Sequence, residues 1–418
     1  MNKLTKLEKS WILYDVGNSA FTMLACSLIP IWFKAIAIGE GAGKISSDQA
    51  TAYWAAAISI VTIIVAILGP VLGTFADYKD LRKPIFSTAL GLGVLGTILL
   101  GFANSWLLFL IVFIVTKICY QSSLTSYDSM INDVTTAEKM DQVSSYGYAW
   151  GYIGSCLPFT VALVLYVLGE PSMGINLIPF NLAKILGCMV TAIWWLIVTI
   201  PLLKNYKQKY YVEKTKGAIA KVFKTLGHTI KTIATQNKKV FLFLLAFFLY
   251  IDGVGTIIDN CINIGTDLGL NTVGQVVFLL ATQVVAWIFS LLFAQLSKKY
   301  DTVTLISVCI IGYTVVCLYA LTLQTLLQFG IMAFMVGMFQ GSIQSLSRSY
   351  YGKIIPANNA GEFFGIYDIF AKGASFLGSF VITWVKLAGG TINIAIGLLA
   401  FFFVAGLILL RLSAKVEA

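Results

Sequence analysis

Asp15 stands inside an apolar run, Trp11 to Phe21 (WILYDVGNSAF), together with Asn18 and Ser19. Four more apolar runs carry groups of the same kind. One holds Lys117, Gln121 and Asp128 at i, i+4 and i+11, with Tyr120 beside them. Another holds Asp252 and Asp259 with Thr256 and Asn260, a third Gln340, Gln344 and Arg348, and a fourth Asp368 and Lys372. A charge at the centre of a membrane helix costs on the order of 2.5–3.5 kcal/mol by insertion scales, so such groups face a cavity or a partner. A carboxylate in a partly dry cavity gains proton affinity, which suits it to carry a proton near neutral pH or to hold an ammonium group. Asp252 and Asp259 fit that chemistry best, because they lie deep in one run that has no basic residue. Asp15, nearer a helix end, either joins them as a proton-coupling group or serves the interface. Asp128 and Arg348 lie near helix ends, as gate or capping residues. Asp368 and Lys372 have the spacing of an intrahelical ion pair. The substrate-binding set read from these runs is Asp15, Asn18, Ser19, Tyr120, Gln121, Asp252, Thr256, Asp259, Asn260, Gln340 and Gln344.

These groups need membrane helices to position them, and the composition supplies them. The chain is 58% hydrophobic and 11% charged, against about 25% charged for a soluble domain. Apolar runs long enough to cross a bilayer recur at 11–38, 53–75, 85–102, 106–130, 143–168, 178–203, 240–264, 273–296, 303–323, 326–350, 363–387 and 391–410. The expectation is an all-α membrane protein of twelve transmembrane helices. The first run is too long for a cleavable signal and reads as helix 1.

The net charge of +10 is a topology signal and not a nucleic-acid signal. Most Lys and Arg fall on one side of this map: Lys3, Lys6, Lys9, the Lys79–Lys83 loop, the central loop, Lys298, Lys299 and the C-terminus. Positive charge stays inside, so both termini are expected in the cytoplasm, facing anionic lipid. The seven cysteines are isolated in apolar spans with no metal spacing, and His228, the only histidine, lies in a basic loop. No metal, cofactor or catalytic cluster is expected, and a histidine relay inside the membrane is excluded.

That basic loop, residues 204–239, holds ten lysines against one acid, Glu213. Ile219, Val222, Phe223, Leu226, Ile230 and Ile233 recur within it at helical spacing, which predicts an amphipathic helix on the membrane surface. It divides the chain into halves, 1–203 and 240–418, of six runs each. The halves repeat. Tyr120 aligns with Phe339, 219 positions on, and Thr74 with Leu292, 218 positions on; helix 1 needs 237, setting Asp15 against Asp252 and Ser19 against Thr256.

Two six-helix halves in parallel repeat resemble the major facilitator fold. The resemblance implies that helices 1, 4, 7 and 10 line a central cavity. The loop GTFADYKDLRKP (Gly73 to Pro84) resembles that superfamily's motif through Gly73, Asp77, Arg82 and Lys83, with Asp80 where glycine is usual. It implies a cytoplasmic gate of Asp77, Arg82 and Lys83, with Asp128 and Arg348. A narrower resemblance runs nearly end to end, through WILYDVGNSAF, DQVSSYGYAWGYIGS, AIWWLIVTIP, FFLYIDGVGTII, GSIQSLSRSYYGKIIP and EFFGIYDIFAKGASFLG. It is to the branch that contains vacuolar amino-acid effluxers of autophagy and bacterial members of unassigned substrate.

The expected function is secondary active transport of a small polar or zwitterionic solute, an amino acid among the candidates, by alternating access and with proton coupling; sodium stays open. The rival in the same fold is an exporter of lipid-like or drug-like amphiphiles, and a remote one is a non-transporting membrane sensor or enzyme. The expected protein is a monomer in a bacterial cytoplasmic membrane that binds no nucleic acid.

Overall fold

A computed structural model describes residues 4–38, 43–169, 177–213, 218–260, 264–265, 268–372 and 376–416. Among these, eleven helices are long and apolar enough to cross a membrane, and Leu377–Leu387 is a shorter apolar helix. The N-terminal half comprises α1 (Lys6–Cys26), α2 (Leu28–Ala37), α3 (Ser47–Ala76), α4 (Arg82–Phe102), α5 (Trp106–Ser129), the short α6 (Ile131–Val134), α7 (Ala137–Gly169) and α8 (Phe180–Asn205). The C-terminal half comprises α10 (Lys238–Asp259), α11 (Thr272–Leu296), α12 (Thr302–Ala320), α13 (Leu326–Ile354), α14 (Ala360–Lys372), α15 (Phe376–Leu387), α16 (Ile392–Leu398) and α17 (Ala400–Lys415), with α9 (Ala218–Thr235) between the halves. The twelve predicted runs are therefore present, three of them in two pieces: the first as α1–α2, the eleventh as α14–α15 and the twelfth as α16–α17.

Helix starts follow local chemistry. Thr5 with Glu8, Ser46 with Gln49 and Thr325 with Gln328 each form a reciprocal capping box that satisfies orphan amides. Apolar side chains such as Ile63, Leu95, Leu157 and Val308 point outward, as a lipid-facing surface requires.

Within the halves, α1 packs on α7 and α8, α4 on α5 and α8, α10 on α17, and α11 on α13. Between the halves, α3 packs on α14 and α7 on α11. The α3–α14 crossing is backbone on backbone: a Cβ on Gly73 would collide with the Gly361 carbonyl, and one on Gly361 with that of Gly73. Both termini lie on one face, since Glu8 accepts from Thr135 and Ser413 donates to the Lys239 carbonyl at the start of α10.

After α8, the chain is stapled to the same face. Asp133 accepts from the Tyr206 hydroxyl at 2.5 Å and from the Lys209 and Tyr210 amides at 3.0 and 2.9 Å. Val212 pairs with the backbone of Asp77 and Lys79. In α9, Ile233 is buried and His228 exposed; the side chains of Ile219, Val222 and Phe223, on which the predicted apolar stripe depends, lie outside the described residues.

Asp80 is the one described non-glycine residue with positive φ, at 62°. That explains why glycine is usual at this motif position. Asp tolerates the left-handed region better than most side chains. Asp80→Gly is therefore expected to be neutral or stabilising by up to about 1 kcal/mol, and Asp80→Val destabilising by about 1–2 kcal/mol, read as opposite shifts in thermal unfolding of the detergent-solubilised protein.

Candidate functional site

A cavity of about 550 Å³ lies between the halves. Helix α1 contributes Asp15, Asn18, Ser19, Thr22 and Cys26, and α5 contributes Tyr120, Gln121, Leu124 and Asp128. From the other half, α10 contributes Ile251, Val254, Gly255, Ile258 and Asp259, and α13 contributes Gln340, Gln344 and Arg348. Tyr148 and Tyr152 of α7 and Tyr367 and Asp368 of α14 complete the wall. Asp259 and Cys26 are exposed at one end, whereas Asp15 and Arg348 are buried at the other.

The buried end is organised by Arg348. This C-half guanidinium reaches wholly into the N-half. Its Nη2 donates to Asp15 Oδ2 and its Nη1 to Asp128 Oδ1, both at 3.0 Å. Its Nε donates to Ser144 Oγ at 2.9 Å, and Nη2 also donates to the Ser144 carbonyl at 3.2 Å. The guanidinium carbon lies 4.6 Å from the Trp11 ring centre and 4.7 Å from that of Tyr148, a cation–π arrangement. Asn18 Nδ2 donates to the second oxygen of Asp15. Gly147 makes room for all this: a Cβ there would collide with the Asp15 carboxylate. Gly151 and Gly154 likewise face α1, against Ser19 and Val16.

Two more sets of contacts close the termini face. Asp77, just past α3, accepts from Arg82 at 2.6 Å and from the amides of Gly361 and Glu362 at 2.7 and 2.8 Å. Arg82 also donates to Asp133 at 2.7 Å. Burial outweighs the Arg82 charge and both amides, pushing the Asp77 carboxyl up to about 7. Across α7, Asp141 pairs with Lys353 at 2.6 Å and accepts from Ser349 and Thr302. Lys83, expected in the gate, stands half-buried outside these networks. The hydrogen bonds described across the halves cluster toward the termini face, and the cavity's exposed residues lie toward the other.

The structure corrects the reading of helix 7. Asp252 and Thr256 do not line the cavity. Asp252 accepts the Leu377 amide at 2.9 Å and the Gly378 amide at 2.7 Å, so it caps the first turn of α15 from a neighbouring helix. Thr256 packs on Gly378, and Asn260 donates to the Thr256 carbonyl at 2.9 Å. The cause is register. Ile251, Val254, Gly255 and Ile258 hold the places of Asp15, Asn18, Ser19 and Thr22, 236 positions on and not 237. Tyr120, Leu124 and Asp128 likewise match Gln340, Gln344 and Arg348 at 220 and not 219. One residue turns a helix face by about 100°.

Asp368 lines the cavity and accepts from Thr125 across the halves; the side chain of Lys372, its predicted partner, lies outside the described residues. Sequence reasoning missed Asp133, Asp141, Lys353 and the cavity tyrosines Tyr148, Tyr152 and Tyr367. The spacing of Tyr148 and Tyr152 was the available signal.

The sequence matches the family model described as "Vacuole effluxer Atg22 like" over residues 5–139 and 131–417. It is 40% identical to an uncharacterized MFS-type transporter, YxiO, of Bacillus subtilis over 98% of this chain and 95% of that protein. The chain belongs to the Atg22-like branch of the major facilitator superfamily. Autophagy-related protein 22 of Botryotinia fuckeliana is 26% identical over 65% of this chain, which spans about half (50%) of that relative's length. The fold is that of a major facilitator transporter, FucP, in its outward conformation, with a TM-score of 0.75 at 14% identity over 98% of each chain. The human organic anion transporter MFSD10 gives a TM-score of 0.68 at 13% identity over 97% of this chain and 98% of that one. This Atg22-like chain is thus an integral multi-pass membrane transporter whose termini face is closed.

Substitutions at two positions test this geometry. Asp252→Ala leaves buried amides of α15 without their acceptor, at about 1–3 kcal/mol each, so it should lower the midpoint of thermal unfolding, and Asp252→Asn should restore part of the loss. Gly147→Ala overpacks the Arg348 site by about 1–3 kcal/mol. Ser145 and Ser345 hydroxyls lie 3.2 Å apart across the halves, so a cysteine pair placed there should oxidise several-fold more slowly once Gly147→Ala is added.

Proposed function

We propose that this Atg22-like protein is a secondary active transporter of a small zwitterionic solute of the amino-acid class, working by alternating access and coupled to protons. One observation carries the reading: a cavity of about 550 Å³ between the halves that presents carboxamides, carboxylates and a guanidinium together. An amino acid has about ten heavy atoms and fits that volume with water to spare. Asn18, Gln121, Gln340 and Gln344 supply donors and acceptors on three helices, α1 and α5 of one half and α13 of the other. A solute touching all four senses both halves, which alternating access requires. Asp15, Ser19, Tyr120 and Asp259 complete the proposed binding set.

The termini are proposed to be cytoplasmic, which fits the lysines near them, and the membrane to be a bacterial cytoplasmic one, as the relative in Bacillus subtilis favours. The cavity then faces outward. Asp77, Arg82, Asp128 and Arg348 form the proposed cytoplasmic gate. A vacuole effluxer moves solute from the lumen to the cytosol, and the lumen corresponds to the cell exterior, so the same orientation would make this chain an importer. It is proposed to act as a monomer, with anionic lipid against its basic face.

Counterflow in proteoliposomes across a panel of L-amino acids, with and without a pH gradient, tests the reading. At least one amino acid should exchange, faster with a gradient, and Gln340→Ala with Gln344→Ala should reduce exchange by tenfold or more. Exchange of amphiphilic drugs alone would defeat it.

A further inference from the structure

A second cavity, of about 330 Å³, lies between α11 and α13 on the outer surface of the C-terminal half. Phe278, Ala281 and Thr282 of α11 form one wall, and Gly330, Ile331 and Phe334 of α13 the other. These residues belong to the first turns of both helices. Arg348 and Lys353 stand at the far end of α13, by the termini face, so this groove lies toward the opposite membrane surface.

Glycine contacts shape it. A Cβ on Gly274 would collide with Leu326, and one on Gly337 would press on Thr282 and Val285. The two helices therefore touch above and below the groove. Between those contacts the ring of Phe278 lies against Gly330, where a Cβ would collide with it. In the other half, 220 positions back, Leu110 holds the place of Gly330, with its side chain buried. At the groove's lower end, Phe334 is braced edge-on by Phe289, with ring centres 6.3 Å apart.

The groove offers water nothing. The Thr282 hydroxyl donates to the Phe278 carbonyl at 2.8 Å and to the Ala333 carbonyl at 3.3 Å. An apolar space of this kind stays dry, and left void it forfeits dispersion contacts along its walls. Around its opening Val277, Leu280, Val284 and Leu327 are exposed, so it is continuous with the lipid-facing surface. A hydrocarbon chain that enters meets protein on both flanks and beneath, where a plain helix face offers contact on one side. From Leu327 to Phe334 the wall runs about 10 Å along the helix axis. The glycine contacts and the Phe289–Phe334 pair already hold that wall, so little side-chain ordering opposes binding.

We propose that this groove binds one acyl chain of a membrane phospholipid, in the leaflet away from the termini face. The chain is what it recognises. The caps of both helices, Asn271 for α11 and Thr325 with Gln328 for α13, are uncharged, so they do not select a headgroup by charge. Both walls belong to one half, so the site persists whether or not the halves rock as proposed above, and it stands independently of the solute reading.

The experiment uses liposomes that contain a phospholipid with a photoreactive diazirine in one acyl chain. One set carries it on phosphatidylcholine and the other on phosphatidylglycerol. After irradiation, adducts are mapped by peptide mass spectrometry. The reference segments are 60–67 and 107–114, the repeat counterparts of 278–285 and 327–334 at offsets of 218 and 220. They include the exposed Ile63 and Ile111. Labelling of 278–285 and 327–334 should exceed that of the reference segments several-fold, with either headgroup. Ala281→Trp and Ile331→Trp each lay a ring across the groove from an exposed position, and each should bring labelling down to the reference level. Both variants must be monodisperse with unchanged thermal unfolding, and either one alone suffices for the comparison. Equal labelling of all four segments, or labelling that neither substitution lowers, overturns the proposal. Labelling that requires phosphatidylglycerol would assign the site to a headgroup, and disulfide formation between two copies through Phe334→Cys would show a second chain covering it; each of these also overturns it.

Discussion

Arg348 belongs by sequence to the second half of the chain and by contact to the first. Its guanidinium touches Asp15, Asp128, Ser144, Trp11 and Tyr148, all across the interface. A buried cation must find its partners or the structure does not form, so the two halves can meet at this depth only in one register. Glycine at 147 follows from that demand, because any side chain there would occupy the place of the Asp15 carboxylate. So does the position of the cavity: its floor is where the cluster shuts out water, and its walls are the helix faces that continue past it. The same physics makes the contact reversible, since every group in it is well solvated when separated.

The outer closures obey a related rule. Asp77 accepts the Gly361 and Glu362 amides at the start of α14, where helix amides lack partners and the dipole favours an anion. Asp141 sits in the first turns of α7 and binds Lys353 at the end of α13. The N-terminal half thus places both carboxylates against the C-terminal half at the termini face. Arg82 and Asp133 extend the first of these to the segment after α8, where the Lys209 and Tyr210 amides bond to Asp133. The chain between the halves is in this way tied to the gate it crosses.

Asp252 shows how a plausible sequence argument fails. A carboxylate in a membrane helix must be compensated, and the cavity was one way to do it. The structure uses another: two backbone amides of α15, which starts inside the membrane span and needs acceptors there. The cost was real in both readings, but only the packing of α10 against α15 decided who met it. The one-residue slip in the repeat alignment has the same origin. Tyr14 and Tyr250, 236 positions apart, bond to serines of the helix beside them, Ser123 and Ser347, and this pairing is visible only once helices are neighbours.

The sequence alone determined that this chain spans a membrane, that it does so in two repeated halves of six runs, and which branch of the superfamily it belongs to. These follow from hydropathy, period and motif, which are properties of the chain read along its length. It also named many of the polar residues that line the cavity, among them Asp15, Asn18, Gln121, Asp259, Gln340 and Gln344, because polar groups at helical spacing in an apolar run must face a cavity or a partner. Tertiary structure decided the rest: that Asp252 is a cap, that Arg348 crosses the interface, and that Asp133, Asp141 and Lys353 close the termini face. Each of those depends on the rotation of one helix against another, and a turn of about 100° per residue separates a group that lines a cavity from one that braces a neighbour.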